Sequence, residues 1–176
     1  MAVVLYEVNI YHACNELIWL FHKKMFSMSA EMAKAFNPEK SMIIAEMNRN
    51  RPPFLDLFDC VITDVDVENG RCEMDYFVGK QYCHSGDIVQ GGFVTALLDA
   101  VSSHAVMCMD PEIVGVSTLE LKVSYLAASR SGKFHCTGQV ERLTRNFVFL
   151  SAELFNEDKI RTATLSATAK VVRRKS

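Results

Sequence analysis

The stretch Val89-Gln90-Gly91-Gly92-Phe93-Val94-Thr95-Ala96-Leu97-Leu98-Asp99-Ala100 decides how the rest of this chain is read. It joins a glycine pair to an apolar run that continues through Val101, Ala105, Val106 and Met107 to Met109. A helix drawn through Gly92–Met109 carries apolar residues on nearly every side, the pattern of a helix enclosed by protein. Thr95, Asp99, Ser102 and Ser103 interrupt it at i−4, i, i+3 and i+4 about the acid, so they share one stripe. An ionised carboxylate on an enclosed helix is unfavourable unless something uses it, which makes Asp99 the first candidate for chemistry.

Downstream, Asp110-Pro111 ends the helix and Gly115 opens a series of alternating segments. They read as long strands over Val116–Leu126, Lys133–Leu143, Phe147–Phe155 and Ile160–Val172, with turns at 127–132, 144–146 and 156–159. Upstream, Asp59–Val67 and Cys72–Val78 alternate on either side of Glu68-Asn69-Gly70-Arg71, a hairpin with one wet face. Residues 79–90 have no period and read as a loop that delivers the chain to the helix. A strand pair, one apolar helix and four consecutive antiparallel strands exclude a βαβ alternation. The expected fold class is α+β, an antiparallel sheet of about six strands wrapped around a central apolar helix.

Before this domain, assigned to residues 51–176, lies an N-terminal helical extension over residues 1–50. Met32, Ala35, Phe36, Ile43, Ile44 and Met47 recur at helical spacing, punctuated at Asn37-Pro38 and stopped by Arg51-Pro52-Pro53. Leu17–Phe21 reads as a short amphipathic helix or part of an upstream extension, or as a helix that packs on a partner subunit. It is far short of the roughly 20 residues of a membrane span, and neither a charged n-region nor a cleavage site marks a signal peptide. A net charge of −2 over 176 residues offers no basic field for nucleic acid or anionic lipid. Six cysteines without a CxxC pair, in a chain that is 49% hydrophobic, read as reduced thiols of a cytoplasmic protein. Among His84, His104, His135, Cys83, Cys108 and Cys136 just one pair, His104 with Cys108, has ligand spacing, so no metal is expected.

Gln90-Gly91-Gly92 followed by Asp99, together with Gly115-Val116-Ser117-Thr118-Leu119-Glu120-Leu121-Lys122-Val123-Ser124-Tyr125-Leu126 and the loop ending in Ser131-Gly132, resembles the hotdog-fold acyl-CoA thioesterases. The likeness is to the phenylacetate-pathway (PaaI-like) type, related to 4-hydroxybenzoyl-CoA thioesterase, and spans about residues 54–172. The resemblance implies that Asp99 is nucleophile or general base on the thioester. It implies that the Gly91 N–H polarises the carbonyl, helped by the partial positive charge of the helix N-terminus. Ser117, contributed by a neighbouring subunit, would orient the attacking water. Where the family usually has His before the glycines this chain has Gln90, and where it usually has Asn or Gln it has His84; both keep hydrogen-bonding side chains.

The residues support the same chemistry on their own terms. Thioester hydrolysis needs a base or nucleophile facing the carbonyl carbon and donors facing its oxygen, and an acid two turns beyond free N–H groups is read as supplying both along one helix face. Gln90, Gly92 and Thr95 are substrate-binding candidates beside that face. Arg130, Arg145 and Asn146, in or next to loops at the sheet ends, are candidates for holding the coenzyme A phosphates, as is Lys133. No cofactor is expected beyond the coenzyme A of the substrate. With 11 Phe and 9 Met, an aromatic or medium to long acyl chain fits. An exposed sheet edge points to a homodimer or homotetramer with active sites between subunits. Two other readings stay open. One is a hydratase or dehydratase using His84 with Asp99, against which residues 79–92 lack proline; the other is a non-catalytic acyl-CoA-binding module.

Overall fold

The computed structural model describes residues 38–174. The readings of Leu17–Phe21, of residues 29–37 and of Cys14 lie outside the described residues. The chain divides between Ser41 and Met42, and apart from the first turn of one helix the description concerns the part from Met42 onward.

The alternating segments form strands β1 (Val61–Asp66), β2 (Arg71–Val78), β5 (Ile113–Tyr125), β6 (Gly132–Leu143), β7 (Phe147–Asn156) and β8 (Arg161–Arg173). All pair antiparallel in one six-stranded sheet of order β1-β2-β6-β7-β8-β5, the hotdog arrangement, so β1 and β5 are its edges. Helix α1 (Pro38–Arg49) begins on proline, whose fixed φ suits a first turn, and ends before Arg51-Pro52-Pro53. Its Ile43, Ile44 and Met47 pack on the core. A 3₁₀ stretch at Pro53–Phe58 follows and buries Leu55 and Phe58. Helix α2 (Gly91–Met107) lies across β6, β5, β7, β2 and β8. It starts one residue before the expected Gly92 and stops two before Met109.

Residues 79–90 hold more structure than their sequence indicated. A 3₁₀ turn at Lys80–Tyr82 leads into a two-stranded ribbon, β3 (Cys83–Ser85) with β4 (Ile88–Val89), closed at Gly86 with φ 57°. Strands of three and two residues contain no full alternation, so no period could announce them. The segment is fastened to the start of α2 by an aromatic triangle. Phe58 and Tyr82 have ring centroids 4.9 Å apart, Tyr82 and Phe93 5.0 Å, and Phe58 and Phe93 5.9 Å.

The side chains facing α2 form rows that cross the sheet from strand to strand. One row runs Ile62, Met74, Cys136, Leu154, Ala163 and ends on the edge at Tyr125. The next runs Cys72, Gly138, Ala152, Leu165 and Val123. A third holds Leu143, Val148, Ala169 and Thr118. Except at their β5 ends, and at Leu143, which is half-buried, these residues are buried against Val94, Leu97, Leu98, Val101, Ala105 and Val106 of the helix. Among the described residues no helix is long and apolar enough to cross a membrane.

The helix seats on Gly138. A Cβ placed there would lie 2.5 Å from the Val101 carbonyl oxygen and 2.8 Å from the Ser102 nitrogen, both backbone atoms that cannot swing aside. Overpacking of this kind destabilises by about 1–3 kcal/mol, and in a domain of this size each kcal/mol lowers the melting temperature by about 2–4 °C. Gly138→Ala is therefore expected to melt several degrees below wild type by circular dichroism; an unchanged melting temperature would remove Gly138 as the seat of the helix.

Candidate active site

The N-terminus of α2 opens into a cleft. Gln90 caps it in an extended conformation, φ −60° and ψ 131°, with no side-chain capping bond. Its N–H donates to the Tyr82 carbonyl at 2.9 Å and its carbonyl accepts the Phe93 N–H at 2.9 Å. The N–H groups of Gly91 and Gly92 have no partner among the described residues. Two adjacent free donors at the positive end of a buried helix form a ready place for a developing negative charge. The cleft has a volume of about 600 Å³, and His84, Gln90, Gly91, Gly92 and Tyr125 contribute to its walls. His84 is exposed there, with Nδ1 2.8 Å from the Ser85 hydroxyl. Gly92 faces open space, whereas Gly91 lies under the Tyr125 ring.

Asp99 sits farther along α2 and is half-buried. Its Oδ1 accepts a hydrogen bond from Thr118 Oγ1 at 3.0 Å, and Oδ2 has no partner among the described residues. The polar stripe read from the sequence does not gather round the carboxylate. Ser102 is buried and donates to the main-chain carbonyl of Asp99 at 3.0 Å, and the Thr95 hydroxyl lies 2.9 Å from that of Tyr125. Off the stripe, His104 is buried with Nδ1 2.8 Å from the Ala100 carbonyl, and burial holds its pKa below the usual histidine range. It serves as a core side chain. Burial also pushes the thiols of Cys60 and Cys108 up to about 11 and those of Cys72 and Cys136 higher. They stay protonated at neutral pH and are poor nucleophiles.

The distances correct one expectation. Gly91 and Asp99 are eight residues apart, about 12 Å along a helix that rises 1.5 Å per residue, whereas a carbonyl carbon and its oxygen are about 1.2 Å apart. One chain's acid and its own Gly91 N–H therefore cannot act on the same carbonyl. The phosphate-binding candidates also separate. Arg130 precedes the twelve-residue strand β6 and is ion-paired with Asp87, while Arg145 and Asn146 follow it in the exposed turn to β7. At about 3.3 Å per residue they stand at opposite ends of a strand some 40 Å long.

Ser117 is exposed and pairs with Lys170, which also pairs with Phe147, an outward-facing row. Within the chain it does not reach Asp99; its neighbour Thr118 does. Thr118 and Tyr125 were not singled out by sequence reasoning. Alternation places Leu121, Val123 and Tyr125 on the helix side, whereas Thr118 joins them through a bulge between Thr118 and Glu120 that adds Leu119 to β5. The structure thus brings His84, Gln90, Gly91 and Gly92 together at one end of the helix, joins Thr95 to them through Tyr125, and sets Asp99 with Thr118 apart.

No curated protein matches the chain. Residues 86–163 match the model of the thioesterase superfamily. A phenylacetic acid degradation-related protein of Ralstonia eutropha JMP134 is 30% identical over 73% of this chain and 99% of its own, with a TM-score of 0.66. The E. coli PaaI protein from the phenylacetic acid degradation operon shares the fold at 15% identity, 76% and 94% coverage and a TM-score of 0.67. So does a hypothetical thioesterase protein with coenzyme A from Streptococcus pneumoniae TIGR4, at 17% identity, 69% and 92% coverage and a TM-score of 0.61. With the Ralstonia eutropha protein 30% identical and covered over 99% of its length, and residues 86–163 matching the family's model on the same six-stranded fold, this chain belongs to the thioesterase superfamily.

Proposed function

We propose that this chain is an acyl-CoA thioesterase whose active site is completed by a second copy. The observation that carries the reading is Asp99: half-buried, with Oδ1 held by Thr118, and on the same helix as the Gly91 and Gly92 amides, which like Oδ2 have no partner among the described residues. The coenzyme A on the Streptococcus pneumoniae protein supports coenzyme A as the thiol half of the substrate.

In this mechanism Asp99 Oδ2 takes a proton from water as the oxygen adds to the thioester carbon. The carbonyl oxygen becomes an oxyanion and is met by the Gly91 N–H of the other copy and the positive end of its helix. Collapse of the tetrahedral species breaks the C–S bond, and the proton on Asp99 passes to the leaving thiolate, giving a carboxylic acid and coenzyme A. Thr118 fixes the carboxylate rotamer so that Oδ2 faces the water. His84 and Gln90 line the approach to the carbonyl, and Arg130 or Arg145 and Asn146, from whichever copy presents them, meet the phosphates. An aromatic or medium to long acyl group agrees with the apolar surroundings of the helix.

The edge strand supplies a geometry for the pairing. Thr118 touches Asp99, and Tyr125 touches Gly91 at 2.8 Å. Two β5 edges paired antiparallel about a two-fold axis between Leu121 and Lys122 set Thr118 of one copy opposite Tyr125 of the other. The acid of one helix then comes to the amides of the other, closing the 12 Å gap expected along one helix. Leu119 and Leu121, 59% and 37% exposed, would be covered in the process.

Two outcomes test the reading. Asp99→Asn is expected to lower thiol release from a panel of acyl-CoAs by about 10²-fold or more with the melting temperature retained; release at the wild-type rate would end the role given to Asp99. Gly91→Pro removes the N–H at a helix position that tolerates proline, after a Gln90 already extended, and is expected to be inactive as well. Co-expression of the two variants should restore about a quarter of wild-type activity, because half the dimers then carry one intact site of two. Activity no higher than that of either variant alone would place acid and amide in one subunit.

A further inference from the structure

Tyr125 is 55% exposed at the end of its row, yet its hydroxyl is fully engaged. It donates to the Gly91 carbonyl at 2.8 Å, which leaves Thr95 Oγ1, 2.9 Å away, as donor to the phenol oxygen. The ring also covers Gly91. A Cβ there would lie 3.0 Å from the hydroxyl, 3.1 Å from Cζ and 3.4 Å from Cε1. The carbonyl of Gly91 and the N–H of Gly92 belong to one planar peptide, so whatever fixes the first aims the second. A donor on that carbonyl also polarises the amide and strengthens its N–H.

Among the described residues Tyr125 is the side chain that adds to the helix's own bond on the Gly91 carbonyl. Gln90 makes no side-chain cap, and two consecutive glycines are the most conformationally free pair a chain can place there. The aromatic triangle of Phe58, Tyr82 and Phe93 holds the neighbouring segment, and Tyr125 adds a second hydrogen bond to the Gly91 carbonyl, which also accepts the first-turn helical bond from the Thr95 N–H. From the Thr95–Tyr125–Gly91 hydrogen-bond chain and the ring over Gly91, we infer that Tyr125 is a positioning residue that locks the Gly91–Gly92 peptide, so that the Gly92 N–H joins Gly91 as a second oxyanion donor. The inference rests on the thioesterase reading of the site. It also ties the donors to the edge strand on which the second copy is proposed to pair.

The test uses the full chain and Tyr125→Phe, with acyl-CoA hydrolysis followed by thiol release and deuterium uptake followed in the peptide spanning residues 88–98. The variant is expected to lose about ten-fold in kcat, less than the 10²–10³ of deleting an oxyanion donor outright, with KM within about two-fold of wild type. Uptake in that peptide should be faster while the melting temperature and assembled mass are unchanged. Wild-type kcat and uptake in the variant would overturn the inference. A lower melting temperature with parallel changes in kcat, KM and mass would overturn it too, assigning Tyr125 to stability alone. Faster uptake in the variant while wild type hydrolyses no acyl-CoA would support the peptide anchor and refute the thioesterase reading, which separates the two failures.

Discussion

The approach of the Val101 carbonyl to Gly138 sets the depth at which α2 lies in the sheet, and the site follows from that depth. Gly138 and Ala152, neighbours in one cross-strand row, leave a trough that a larger pair would fill. With the helix backbone in it, Leu97, Leu98, Val101 and Ala105 are fully buried, and the helix has no freedom to roll. Asp99, two residues before Val101, is thereby turned toward β5 and Thr118. Gly91 is carried to the end of the helix, under Tyr125.

A helix so fixed keeps the acid and the free amides apart, and β5 carries the same separation on the sheet side as Thr118 and Tyr125. Each chain on its own thus holds two halves of chemistry that do not face each other. The proposed pairing of β5 edges resolves this with the contacts already present, because the strand that would join the copies is the one that touches both halves. The Tyr125 hydroxyl, spanning from that edge to the glycine peptide, would make the donors sensitive to the interface.

Much of the architecture was legible in the sequence because it is written in local periods. An apolar run with a single acid could only be an enclosed helix, and alternation in β2, β6, β7 and β8 named the buried residues of each strand, from Met74 and Cys136 to Leu154 and Leu165. The ribbon at Cys83–Val89 was not legible, being shorter than the period that would reveal it. That Thr118 is the hydroxyl that meets Asp99 within the chain was not legible, for a subtler reason. The extra residue at Leu119 shifts the parity of β5, and nothing in the chain marks where a bulge will fall. Arg130 and Arg145 look alike as loop cations, but β6 puts its whole length between them.

The sequence by itself determined which segments are buried, where the helix begins and that one carboxylate lies on it, since hydrophobic period and the glycine pair are properties of neighbouring residues. Tertiary structure alone decided which hydroxyl meets Asp99, that Ser102 turns to its own helix, and that Tyr125 binds the Gly91 carbonyl. Those facts depend on strand register and on the seating of the helix at Gly138. Both are set by pairings between residues distant in the chain, where a slip of one residue turns every side chain of a strand to the other face.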